Sequence, residues 1–395
     1  MGINTMPLTG YRVLDLTTVR SGPTCTRILS DLGADVLRVE RPGDSGRERV
    51  FFDQGDLQRN KRSLVLNLQH PKGAEILRAL AARADVVVEN YRPDVKHRLG
   101  IDYESLGRDN PRLIYASISG FGQGGPYRDR PGYDQIVQGM SGLMSLTGTP
   151  DTAPLRVGIP IGDLLAGYFA ALGILAALIE RERSGLGQRV ETSLLEALVG
   201  SLSFQAVRYL NTGEVPPPVG NHHPLTAPMG VYGVKNGHMN LAVGNDDMWR
   251  RLCQALGLAE LADDPRFAKA ASRLEHRAAM DRILETALAK KSAAEWVELL
   301  NVAGVACGPI YTVDQVFADP QVAHAGLVHE LSHPLWGRHK VMGLPVRLSR
   351  TPARVRTPAP LPGAHTREIL AELGYDENAT DALLADGVIE EAKRE

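Results

Sequence analysis

The chain has 395 residues, a formal net charge of −2 and 43% hydrophobic residues, enough for two or three domains with sizeable cores. So balanced a charge argues against broad binding to nucleic acid or anionic membrane, while leaving room for local basic clusters. Cys25, Cys253 and Cys307 lie far apart without CxxC spacing, and no histidine falls in an HExxH pattern, so reduced thiols in a cytoplasmic protein without a metal are expected. No N-terminal stretch has the charged-then-apolar form of a secretion signal.

In chain order, Tyr11–Leu16 reads as a buried strand. Pro23 suits the first position of a helix capped by Ser21 or Gly22, with Cys25, Ile28, Leu29 and Leu32 inward and Gly33 at its end. Val36–Val39 is the next strand, giving a parallel strand–helix–strand unit. The pattern repeats with a strand at Leu64–Leu66, a helix from Pro71 and strands at Val86–Val88 and Leu113–Ile118. A glycine-rich stretch, Ser119 to Asp134, follows. Ligands of open α/β sheets bind beyond the carboxyl ends of the strands, where this chain carries Arg20, Arg41, Arg92, Arg98 and Gly120–Gly125. An anionic, nucleotide-like ligand fits that recurrence, although the first strand–helix–strand unit lacks GxGxxG.

The run from Arg156 to Ser184 holds one acid, Asp163, ahead of a long Gly- and Ala-rich apolar segment. It predicts a buried helix of a globular protein rather than a membrane span. Asp163 falls at or next to the N-cap, where the first-turn amides favour a carboxylate. Gln188–Glu191 then reads as a strand, Leu194–Leu210 as one helix and Val215–Val219 as a proline-stiffened linker. Beyond it come a hairpin with a type I′ turn at Asn236-Gly237, a helix capped by Asp246, and a capping box from Ser292 to Glu295. Short strands and prolines follow His333, with a last helix near His365–Leu373.

Taken together, VLDL…SGP…DLGADVLRVERPGD (Val13 to Asp44), NKRSLVLNL (Asn60 to Leu68), VVVENYRPDV (Val86 to Val95), PGYD (Pro131 to Asp134) and GIPIGDLLAGYFAALGILAAL resemble the class III CoA-transferase family, as do GNHHP, VGNDDMW, GVACGPI and PLPGAHTREILAELGY. The family also holds formyl-CoA transferase and α-methylacyl-CoA racemase. The resemblance implies an α/β fold: a Rossmann-like large domain with a parallel sheet, residues 1–215 and 330–395, and an inserted smaller α+β domain, residues 216–329. It implies an interlocked homodimer, with coenzyme A and acyl-CoA as substrates and no metal.

Asp163 matches the family's nucleophile, which forms an aspartyl–acyl anhydride and then an aspartyl–CoA thioester. Asp134, beside Tyr133, is expected to support it, and the loop holding Gly244 and Asn245 to cover the site. By the same matching, Arg20, Ser21, Arg41, Leu66, Asn67, Leu68, Gln69, Asn90, Tyr91, Arg92 and Arg98 are expected to bind CoA. Arg20 stands where formyl-CoA transferase has glutamine, a departure that points away from formyl or oxalyl substrates. Tyr133 stands where the racemase branch has its basic histidine, and a tyrosine is a poor base near neutrality. Transfer of CoA, from a donor such as succinyl-CoA to a short dicarboxylate, is therefore expected, with a racemase-like isomerase or a non-catalytic CoA-binding protein as alternatives.

Overall fold

In the computed structural model, which describes residues 5–43 and 51–392, alternation along short apolar strands sets the architecture. The first part of the chain runs β1 (Arg12–Asp15), α1 (Ser21–Asp31), β2 (Asp35–Glu40), α2 (Phe51–Gln58), β3 (Lys61–Leu66), α3 (Pro71–Ala81), β4 (Val86–Glu89), α4 (Pro93–Leu99), α5 (Tyr103–Asp109) and β5 (Ile114–Ser119). It continues through α6 (Asp134–Met140), α7 (Leu143–Leu146), α8 (Ile161–Ser184), β6 (Arg189–Ser193), α9 (Leu194–Ser201) and α10 (Ser203–Thr212). Val13, Val36, Val86 and Val88 enter one core with Leu29 of α1 and Ile174 of α8. Leu14, Leu37 and Val87, one residue out of step, enter a second core with Ile76 and Leu77 of α3. Burial on both faces explains why these strands read as continuous apolar runs.

The strands form a seven-stranded sheet in the order β12-β3-β2-β1-β4-β5-β6. Pairing is parallel except at one edge, where β12 (Ile389–Glu390) runs antiparallel to β3. The chain divides into two compact units, the first comprising Met1–Leu143, Arg156–Glu214 and Gly326–Glu395. Its last part holds the antiparallel hairpin β10 (Val328–His333) and β11 (Gly337–Met342), then α17 (Thr366–Leu373) and α18 (Glu377–Ala385). The second unit comprises Met144–Leu155 and Val215–Ala325. There β7 (Met229–Val234), β8 (Gly237–Ala242) and β9 (Ala306–Pro309) make a three-stranded sheet. Its helices are α11 (Asp246–Leu256), α12 (Ala270–Glu275), α13 (Arg277–Leu288), α14 (Ala293–Val302), α15 (Val313–Ala318) and α16 (Pro320–Ala325), and its core centres on Trp249, Phe267 and Trp296.

Local details depart from the sequence expectations. Helix α1 begins at Ser21, so Arg20 is its N-cap and Pro23 lies inside the first turn. The expected single helix from Leu194 to Leu210 breaks between α9 and α10, where Ser203 takes a left-handed φ of 53°. In the β7–β8 hairpin the turn is Lys235-Asn236, with Gly237 paired to Val234. Positive φ falls on Gly237 (138°) rather than on the two turn residues, so the turn is not type I′. Asn245, not Asp246, caps α11 by accepting from the Met248 amide at 2.8 Å. Asp44, the end of one of the quoted stretches, lies outside the described residues.

Candidate active site

Helix α8 is framed by close approach to its neighbours. A Cβ on Gly167 would sit 2.6 Å from the Ser21 carbonyl oxygen, so the missing side chain lets α1 lie directly against α8. That contact buries Ser21 and brings Arg20 to the first turn of α8, which opens at Ile161 after an N-cap Pro160 that supplies no side-chain bond. Asp163 is the acid of this turn, slightly deeper than the cap position expected.

Asp134, at the start of α6, braces the same turn. Its Oδ1 accepts from the Gly162 amide at 2.8 Å, and its Oδ2 accepts from Gln138 Nε2 at 2.7 Å. Arg156 adds an ion pair to it at 3.5 Å. Gly162 makes the approach feasible, because a Cβ there would lie 3.1 Å from Asp134 Oδ1. Gln138 in turn accepts from the Val157 amide at 2.9 Å, fixing the chain that leads into α8. Gln138 went unremarked in the sequence, although its i+4 spacing from Asp134 was a usable signal.

The two carboxylates therefore have different environments. Asp134 is buried and fully engaged, whereas no described residue hydrogen-bonds to the half-buried Asp163 carboxylate. Burial, and next the Asp134 charge, push Asp163 up from 3.8 to about 6, against a lowering influence of Arg20. Neighbouring acids in such different environments can serve different roles in one fold.

The turn that carries Arg20 is itself held. Asn90 receives the Thr18 amide on Oδ1 at 2.9 Å and donates Nδ2 to the Thr18 carbonyl at 2.7 Å. Val19 follows with φ of 65°, a left-handed conformation that a β-branched residue adopts only when its surroundings impose it. Arg20 then donates to Asp53 Oδ1 of α2 at 2.5 Å. Asp53 could not be found by inspection of the sequence, since a pair 33 residues apart leaves no periodic trace.

Arg41 after β2, Leu66 at the end of β3 with Asn67, Leu68 and Gln69 beyond it, Tyr91 after β4, and Arg98 on α4 line one cleft of about 980 Å³. The Arg41 guanidinium lies 5.5 Å from the Tyr91 ring centre. Arg41 and Arg98 are exposed, and neither pairs with a carboxylate among the described residues, while Arg41 also hydrogen-bonds the Tyr91 side chain; forked guanidinium donors of this kind suit phosphate oxygens. Asn90 and Arg92 were expected in this group but do not line the cleft. Asn90 is committed to Thr18, and Arg92 is the exposed N-cap of α4. Arg20 and Ser21 lie at α8 instead. Tyr133 is 65% exposed and hydrogen-bonds neither carboxylate. Gly244 and Asn245 belong to the second unit, both exposed. Among the described residues no cluster of His, Cys, Asp and Glu is arranged to hold a metal.

The model of CoA-transferase family III matches residues 8–366. The chain is 40% identical to a succinate–glutarate CoA-transferase of Agrobacterium fabrum, over 93% of this chain and 96% of the relative. It is 37% identical to a succinyl-CoA–D-citramalate CoA-transferase of Chloroflexus aurantiacus, over 97% of this chain and 98% of that one. Among solved structures, a CAIB/BAIF family protein from Brucella suis superposes with a TM-score of 0.83 at 38% identity, covering 93% of this chain and 100% of the other.

Proposed function

The chain belongs to CoA-transferase family III, and from that premise we propose that it passes CoA from succinyl-CoA to a short dicarboxylic acid, with Asp163 as the covalent relay. The observation that supports this most is the unbonded Asp163 carboxylate in the first turn of α8, next to a fully engaged Asp134. The carboxylate attacks the thioester carbonyl, the C–S bond breaks, and CoA leaves as thiolate from an aspartyl–acyl anhydride. The thiolate attacks the Asp163 acyl carbon, releasing the donor acid and forming an aspartyl–CoA thioester. The acceptor carboxylate then attacks that carbonyl, the C–S bond breaks to give a second anhydride and CoA thiolate, and the thiolate attacks the acceptor acyl carbon, forming the product thioester and releasing the Asp163 carboxylate. No step requires a net proton transfer, so positive charge and amide donors near α8 matter more than a general acid.

The dicarboxylate acceptor is supported by the names of the relatives, which include glutarate and citramalate enzymes, and by Arg20 standing beside Asp163. A dicarboxylate keeps one free carboxylate after thioester formation, and a guanidinium suits it. The cleft of Arg41, Tyr91 and Arg98 would take the CoA nucleotide. A homodimer fits the outer face of α8, where Tyr168, Phe169, Leu172 and Ile179 are exposed in this single chain. The thiols of Cys25, Cys253 and Cys307 are all free, in keeping with a cytoplasmic setting.

The test is incubation with succinyl-CoA and a panel of free acids, followed by mass spectrometry of the protein. An acyl or CoA adduct on Asp163 and exchange favouring four- and five-carbon dicarboxylates are expected. Asp163→Asn should lose both, and substantial exchange by that variant would sink the covalent route.

A further inference from the structure

Arg20 is shared between two acids. Its NH2 donates to Asp53 at 2.5 Å, with the two side chains about equally accessible at 30% and 28%, while its charge also bears on Asp163. Among the described residues Asp53 is the only hydrogen-bond partner of its side chain. A guanidinium has five N–H groups, so the rest of this fork remains available.

The elements that hold the pair are rigid. At the far end of α2, Arg59 bonds Asp31 of α1 through Nε at 3.1 Å and NH2 at 2.6 Å, with both side chains buried. The third Arg59 nitrogen, NH1, reaches Asp56 at 2.7 Å. Helix α2 is thus anchored to α1 at one end and presents Asp53 from its first turn at the other. On the opposite side Asn90 fixes Thr18, and the left-handed Val19, 66% exposed with nothing of its own to bury, redirects the chain into Arg20. Two independent supports converge on one side chain next to the acid of α8.

We propose that Asp53 is a positioning residue for CoA transfer: by holding one amino group of Arg20 it aims the remaining donors at the free carboxylate of the acceptor and restrains Arg20 from pairing with Asp163. This rests on the dicarboxylate reading given above. The charged groups bearing on Asp163 are Asp134 on α6 and Arg20 at the start of α1, so Asp53 acts on the nucleophile only through Arg20.

Removing the Asp53 charge therefore has two linked effects. Arg20 loses its aim, and the ratio of kcat/KM for a five-carbon dicarboxylate over a monocarboxylate of equal length falls about tenfold. Arg20 is also released toward Asp163, and the acid limb of the pH–rate profile moves to lower pH. Arg20→Gln moves that limb the other way, because Asp163 loses its nearby cation.

The experiment measures both acids and the pH profile in wild type, Asp53→Asn, Asp53→Glu, Arg20→Gln and the Asp53→Asn/Arg20→Gln double variant. Asp53→Glu, which keeps the charge, should recover most of the specificity ratio. In the Arg20→Gln background the Asp53 substitution should be silent, since a residue acting through another has no effect once that one is gone. Equal losses for both acids, an unmoved acid limb, or a full Asp53→Asn effect without Arg20 would each overturn the proposal. If wild type handles the two acids equally, the dicarboxylate reading falls by itself, and the opposed shifts of the acid limb then decide the role of Asp53.

Discussion

Asp163 is placed where ionisation is opposed by burial and by Asp134, and opposed only weakly enough that the anion dominates near neutrality. Its folded-state value of about 6 lies above the usual 3.8. The folded protein consequently holds a proton there more readily than the unfolded chain, so stability falls as pH rises through that window. Asp163→Asn removes the penalty. At pH 8 the variant should be more stable than wild type by about 3 kcal/mol, an order of magnitude set by a shift of roughly two pH units, with the difference gone below about pH 3. Denaturant titrations across that range would show it, and parallel curves at every pH would contradict the burial argument. In the proposed mechanism the same carboxylate attacks as the anion, so exchange should rise with pH to a plateau above about 6.

Arg41 and Arg98 line the cleft proposed to take the CoA nucleotide. Alanine at either should raise the KM for acyl-CoA far more than it lowers kcat, by a loss of about 1.5–3 kcal/mol per charge-assisted contact. Calorimetry with free CoA checks this directly, and unchanged affinity in both variants would remove them from the nucleotide site.

At the scale of elements, what held Arg20 and Asp163 together was only partly legible. The long strands and α1, α3 and α8 announce themselves because apolar residues recur at a fixed period over enough turns. Helices α2, α4, α5 and α6 have seven or eight residues each and polar faces, too little for a periodic signal. Yet α2 and α6 supply Asp53, Asp134 and Gln138. The two-residue β12 pairs with β3 across the whole chain length, a contact with no local cause. Beneath the site, Lys61 of β3 donates to Asp15 of β1 at 2.9 Å, both side chains buried, with Thr17 and Thr26 also donating to Asp15. Burial lowers Lys61 to about 8 despite Asp15. Nothing in NKRSL reveals that its lysine points inward, since lysine is almost always a surface residue. Lys61→Met leaves Asp15 buried without its cation and should lose about 3–5 kcal/mol. Adding Asp15→Asn should recover part of that loss, and a double variant no better than the single one would mean the lysine acts through packing alone.

At the scale of the whole molecule, the open question is what covers α8. By length and composition this helix could cross a membrane, but it packs on α1, α9, β5 and β6 within the chain. Its remaining face carries Phe169, Leu172 and Ile179 outward, with Leu172 and Ile179 each 62% exposed. Spacings of three and seven residues put these side chains on one stripe. Val207 and Leu210 of α10 are exposed as well. Exposed apolar residues gathered on one helix face suit an interface, and a second copy of the chain is the occupant that the family resemblance implies. Leu172→Glu together with Ile179→Glu should then yield monomers or aggregates where wild type is dimeric. If the subunits also interlock, wild type should stay dimeric in light scattering over several decades of dilution, because separation requires partial unfolding. Ready dissociation into folded, active monomers at nanomolar concentration would exclude interlocking, and binding of wild type to lipid vesicles, abolished by the same two substitutions, would assign the stripe to a membrane instead.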